Sequence, residues 1–147
     1  MNIYSYLKKD HRKVSDLIKK IIATKNNRTR KNLLFTLKKE ILLHAASEEV
    51  TFYKTLKKYK SIQKEIGHAN KEHQEITNAL DKLDDFSIND DNWLVQLGEL
   101  KYLIEHHVEE EEQKIFKSAR KVLSTNQANN LAKQMEAEKE NFLATTT

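Results

Sequence analysis

HHVEEEEQKIF, residues 106–116, sets two adjacent histidines ahead of four consecutive glutamates and an apolar pair. On a helix, a histidine and a glutamate four positions apart share one face. The stripe Ile104, His107, Glu111 and Ile115 then lies on the inward side, whereas His106 falls in line with Glu99, Glu110 and Gln113 on a wet side. Glu112 reads as a neutral neighbour of Glu111, and His106 and His68 read as solvent-facing, with a role in supporting the ligands or admitting an ion as the alternative. The same pattern occurs upstream: HAASEEVTFYK, residues 44–54, overlays residues 107–117 at an offset of 63, aligning Glu48 with Glu111 and Phe52-Tyr53 with Ile115-Phe116. HRKVSDLIKKI, residues 11–21, overlays HQEITNALDKL, residues 73–83, at an offset of 62. The chain therefore reads as two similar helical hairpins, each with one His on its first helix and His-x-x-x-Glu on its second.

Composition agrees with this. Two glycines and no proline among 147 residues leave little punctuation for the turns of a sheet, and 33% charged with 38% hydrophobic residues suit helices wet on one side. Apolar spacings of three and four predict helices over about Ile3 to Thr24, Arg30 to Tyr59, His68 to Asp85 and Asp91 to Leu123. A connection with room for partial helix occupies about Lys60 to Gly67, and a short fifth helix opens at Ser124 with Leu131, Met135 and Phe142 on one stripe. Ser87 with Asp90, and Ser124 with Gln127, have the spacing of capping boxes, and the terminal ATTT is expected to fray. The expected fold is an all-α antiparallel four-helix bundle over residues 2–121, with a C-terminal helix over about 125–143, all in one domain spanning 1–147.

Lys plus Arg number 26 against 22 Asp plus Glu, and the basic pairs are spread at helical intervals between acids, so no nucleic-acid surface is expected. The absence of cysteine rules out disulfides and thiolate ligands. No apolar run approaches a membrane span, and a cytoplasmic location is expected.

His11, His44, His73 and His107 all interrupt apolar stripes, as do Glu48 and Glu111. In antiparallel hairpins, residues whose numbers average to the middle of the turn stand at one height. The midpoint of His11 and His44 falls in NNRT, that of His73 and His107 in SINDDN, and that of Glu48 and His73 near the predicted connection. Six polar side chains thus share one level, with no inward Lys or Arg expected there. Burying two carboxylates without a counterion costs several kcal/mol each, and metal cations would supply the missing positive charge. Six nitrogen and oxygen donors without thiolate suit six-coordinate iron or manganese better than a structural zinc.

The layout resembles the hemerythrin-like, or HHE cation-binding, domain family: DH11 opens the first helix, H44AASEE lies in the second, EH73 in the third and H107VEEEE, followed by IF, in the fourth. In ligand pattern it is most similar to bacterial hemerythrin-like and repair-of-iron-centres proteins. The resemblance implies an up-and-down bundle holding two Fe ions per chain, with Mn or Zn as alternatives. His11, His44, His73 and His107 would be terminal ligands, and Glu48 and Glu111 would bridge. Where oxygen-carrying hemerythrins have a further His on the third helix and an Asp in the last motif, this chain has Thr77 and Glu111, which argues against reversible oxygen transport. The expected function is a non-haem di-iron protein that reacts with peroxide, nitric oxide or dioxygen, with an unidentified electron donor. As an enzyme it would be a di-iron oxidoreductase; without turnover it would be an iron- or oxygen-sensing module.

Overall fold

The computed structural model describes residues 1–146, which form helices joined by short turns, with no strand among them. Helix α1 spans Ile3–Ala23. Helix α2 spans Asn27–Glu48 and continues through a widened π turn, Glu49–Tyr53, into Lys54–Leu56. Helix α3 spans Gln63–Lys82 and ends in a tighter 3-10 turn, Leu83–Asp85. Helix α4 spans Asp91–Glu110 and passes through a second π turn, Glu111–Ile115, into Phe116–Val122. Helix α5 spans Thr125–Thr146. The first four form the antiparallel bundle, and α5 lies across α1 and α2.

Local chemistry sets most of these boundaries. The side chains of Asn2 and Asn26 accept from the backbone N–H of Ser5 and Thr29, each at 2.9 Å, satisfying donors that a helix start leaves free. Ser124 and Gln127 form the reciprocal box: the Gln127 N–H donates to Ser124 Oγ at 3.1 Å, and the Ser124 N–H donates to Gln127 Oε1 at 2.7 Å. At the start of α4 the expectation needs correcting. Asp90, not Ser87, is the cap, accepting from the Asn92 N–H at 2.9 Å, while Ser87 Oγ accepts from the Asn89 N–H in the preceding turn. Helix α3 also begins five residues before His68 and runs through Gly67, because Ile62 and Ile66 are buried and anchor its first turn. The predicted fraying of ATTT meets a helix that extends to Thr146; Thr147 lies outside the described residues.

The core is divided in two. One apolar cluster gathers Leu7, Phe52, Tyr53, Ile66, Phe116 and Met135. The other gathers Val14, Ile18, Ile41, Ile76, Leu97 and Ile104. Between them on each bundle helix sits the polar level: His11 between Leu7 and Val14, His44 and Glu48 between Ile41 and Phe52, His73 between Ala69 and Ile76, and His107 and Glu111 between Ile104 and Ile115. Helix α5 closes the first cluster with Ala128, Leu131 and Met135, whereas Phe142 is half-buried. Its Glu136 accepts a hydrogen bond from the Tyr6 hydroxyl. No helix among the described residues is long and apolar enough to cross a membrane.

Because α5 is held by apolar burial, Leu131→Ala is expected to lower the unfolding free energy by about 2–5 kcal/mol. Phe35→Ala, whose side chain is 73% exposed, should change it by no more than about 0.5 kcal/mol, both read from denaturant unfolding.

Candidate metal centre

All six residues singled out in the sequence meet at the polar level. Their ligating atoms fall into two groups, His11 with His44 and Glu111, and His73 with His107 and Glu48, the atoms of each group lying within 4.8 Å of one another. Each carboxylate stands between the groups. Glu48 Oε1 is 3.4 Å from His44 Nε2 and 3.1 Å from His73 Nε2. Glu111 presents Oε1 to His11 Nε2 at 3.2 Å and Oε2 to His107 Nε2 at 3.6 Å. Each carboxylate therefore reaches a histidine of either group, and both are fully buried.

The outward nitrogen of every imidazole is held by a further carboxylate. Asp10 on α1 meets His44 Nδ1 on α2 at 2.8 Å, and Glu49 on α2 meets His73 Nδ1 on α3 at 2.9 Å. Glu72 on α3 meets His107 Nδ1 on α4 at 2.9 Å, and Glu112 on α4 returns to His11 Nδ1 on α1 at 2.7 Å. The four bonds form a closed ring in which each helix braces the histidine of the next. With the proton on Nδ1, each Nε2 lone pair is turned inward, the orientation that a metal-binding imidazole requires. Glu112 is therefore not the neutral neighbour that the helical pattern suggested. Nor is the level free of nearby cations, since Lys139 from α5 meets Asp10 at 2.5 Å. That ammonium sits behind Asp10, on the helix that the hairpin alignment left out.

The two π turns lie at matching places in the repeat, one directly after Glu48 and one opening at Glu111. π turns carry an extra residue and often mark functional sites. Here the widening lets three consecutive residues, Thr51, Phe52 and Tyr53, all be buried. The Thr51 hydroxyl donates to the Ser47 carbonyl at 2.7 Å, supporting the loosened backbone. Tyr53 is swung beneath the polar level, where its hydroxyl donates to Glu111 Oε2 and lies 3.4 Å from His107 Nε2. Burial and then the nearby Glu111 charge push the phenol well above its ordinary pKa, so it keeps its proton. Its ring stacks on His73, with centroids 5.2 Å apart. On the opposite side of the histidines lies a cavity of about 40 Å³, walled by Val14, Ile41, Ile76, Ile104 and Val108.

The site can be tested for a cation on its own terms. His11 Nε2, His44 Nε2, both oxygens of Glu48 and Glu111 Oε1 are buried with no hydrogen-bond partner. Buried polar atoms are rarely left so. His73 Nε2 and His107 Nε2 face each other at 3.1 Å, a contact between two lone pairs unless a proton or metal intervenes. Donors sharing an ion with bonds of about 2.1 Å lie about 3.0 Å or more apart, and the 3.1–3.6 Å spacings found here leave room for an ion between them. The donor set fits.

Electrostatics shows how the carboxylates act on the histidines. Burial opposes a charge on His11, but the Glu111 carboxylate 3.2 Å from its Nε2 and the hydrogen bond to Glu112 outweigh it and push its pKa up to about 10. His73 is pushed up to about 10 in the same way by Glu48 and Glu49. His44 is raised as well, burial being overcome by the Glu48 charge and the Asp10 bond. Burial alone would raise Glu48, yet His44 and His73 hold it well below the carboxylate range. Folded pKa values above the unfolded 6.5 contribute stability that is complete below pH 6.5 and is lost as pH climbs toward about 10.

The sequence matches the hemerythrin HHE cation binding domain over residues 2–119. The chain belongs to that family. An uncharacterized hemerythrin-like protein of Schizosaccharomyces pombe is 28% identical over 133 residues, covering 89% of this chain; the chain spans 66% of that relative's length, just under two thirds. A crystal structure of a hemerythrin HHE cation binding domain-containing protein from Mycobacterium kansasii superposes with a TM-score of 0.87 at 23% identity, covering 99% of this chain and 89% of that one. That likeness speaks for the fold, and it takes in α5, which lies beyond the family match. Membership in a cation-binding family agrees with the buried donor set, while Asp10, Glu49, Glu72 and Glu112 are what the pattern of spacing left out. The doublets that carry the braces were visible all along: Asp10-His11 and Glu72-His73 on one pair of helices, Glu48-Glu49 and Glu111-Glu112 on the other.

Metal affinity of the apo protein is expected to strengthen as pH rises from 6.5 toward about 10, since uptake must displace the protons on His11 and His73; a chelator competition series across that range checks this. In the same assay Asp10→Asn and Glu112→Gln should each weaken binding by about 10–100-fold. Exposed Glu109 supplies the control, and Glu109→Gln should leave affinity unchanged.

Proposed function

We propose that this layer holds two iron ions and that the protein reacts there with a small oxidant, namely peroxide, nitric oxide or dioxygen. The observation carrying the reading is the convergence of four imidazole nitrogens and two carboxylates placed between them, of which five buried inward atoms have no hydrogen-bond partner. His11, His44, His73 and His107 would be the terminal ligands, and Glu48 and Glu111 would span the pair. Bound there, iron would supply ferrous–ferric electron exchange with the oxidant.

The chain's own residues define the rest. The cavity of about 40 Å³ lies against the imidazoles on the side away from the carboxylates, so a reactant would approach there. A water needs about 10–15 Å³ of such space, so the cavity has room for a reactant the size of a few waters. Its aliphatic walls keep bulk water from the imidazoles. Tyr53, retaining its proton, holds Glu111 by a donated hydrogen bond from the opposite side. Thr77, where an oxygen carrier would have a further histidine, donates instead to the His73 carbonyl of its own helix at 3.0 Å, which favours reaction over carriage.

Elemental analysis of aerobically purified protein should find about two irons per chain, a content that falls in Glu111→Ala and persists in Glu109→Ala. Peroxide or nitric oxide should be consumed catalytically, with loss in His107→Ala. Binding that stops at one equivalent would make the protein a sensor, and equal metal in all three proteins would remove the assignment.

A further inference from the structure

Outside the buried layer, the facing surfaces of α3 and α4 carry one His-x-x-x-Glu pair each, His68 with Glu72 and His106 with Glu110. They converge on one another. His68 Nε2 lies 3.5 Å from Glu72 Oε2 and 3.3 Å from Glu110 Oε2. His106 Nε2 lies 3.6 Å from the same Glu72 oxygen and 3.4 Å from Glu110 Oε1. All four separations exceed the 2.7–2.9 Å of the imidazole–carboxylate bonds in the bracing ring. Ligand atoms about a tetrahedral metal with bonds of about 2.0–2.1 Å stand about 3.3–3.4 Å apart, a spacing these His–Glu pairs approach without a bond of their own.

We infer that His68, Glu72 and Glu110, whose ligand atoms lie within 4.8 Å of one another, form a second cation site on the surface that takes one first-row divalent metal, with His106 turning in from beside them as the fourth ligand. Two imidazoles select against calcium and magnesium, which prefer all-oxygen shells, and two carboxylates neutralise a dication. The imidazoles are 59% and 49% exposed, and an open pocket of about 340 Å³ rimmed by Lys64, Glu65 and Lys114 gives an ion direct access. The Tyr102 ring stacks on His106, with centroids 6.2 Å apart and planes 14° apart, and holds it toward the cluster. Glu72 serves both sites. Its Oε2 faces the surface histidines while its Oε1 braces His107 Nδ1 at 2.9 Å. An ion captured here stands one carboxylate away from a histidine of the buried layer.

The test is a titration of the iron-loaded protein with Co²⁺, following the visible ligand-field absorption that intensifies when cobalt becomes four-coordinate. Wild type should take up one further equivalent with that signature. The double variant His68→Ala/His106→Ala should take up none, while its iron content and unfolding curve stay those of wild type, because both side chains stand in solvent. Uptake of no further cobalt by wild type, or equal uptake by the double variant, would overturn the site. The iron-free chain separates this inference from the proposal for the buried layer. If that layer binds no metal, wild type should still take one cobalt and the double variant none.

Discussion

Two glutamates, Glu48 and Glu111, lie wholly out of water at the middle of the bundle, and the rest of the structure answers to that fact. An unpaired buried carboxylate costs several kcal/mol. The core is accordingly not continuous: an apolar cluster lies on each side of a level given over to ionisable groups, and every bundle helix changes from oil to polar and back at the same height. Four imidazoles face the glutamates, four more carboxylates stand behind the imidazoles, and Lys139 stands behind one of those. Positive charge is thus required at the centre, as protons on His11 and His73 or as metal.

The bundle and the six inward donors were legible from sequence because they rest on periodicity, and the hairpin repeat fixed their common height. What periodicity could not show is the flank. Consecutive helical residues point about 100° apart, so a residue next to an inward one is assigned to solvent. In a four-helix bundle that flank faces the neighbouring helix, which is where Asp10, Glu49, Glu72 and Glu112 find their histidines. The burial of Tyr53 at the polar level has another origin: a π turn shifts the helical phase, and the 3.6-residue rule does not foresee an extra residue. The start of α3 was hidden because Gly67 and the lysines around it resemble a connection, whereas Ile62 and Ile66 supply the burial that makes a helix there.

The two halves are alike but not equivalent. In the aligned repeats Tyr53 stands where the other half has Phe116, and both rings are fully buried in the same apolar cluster. Phe116 only packs, edge-on to Tyr4 and Phe52, whereas Tyr53 carries a hydroxyl to the polar level beside His107. One buried hydroxyl therefore distinguishes the group of His73 and His107 from that of His11 and His44. Asp10, answered by Lys139 on α5, marks the opposite group.

The ring of imidazole–carboxylate bonds has a mechanical consequence. Each helix both gives and receives one of its four joints, so no helix can roll about its long axis, or slip along a neighbour, without opening two of them together. Loosening spreads around the circumference instead of staying local. The barrel of helices behaves like a hoop, and an ion entering it meets a frame whose dimensions were settled before it arrived.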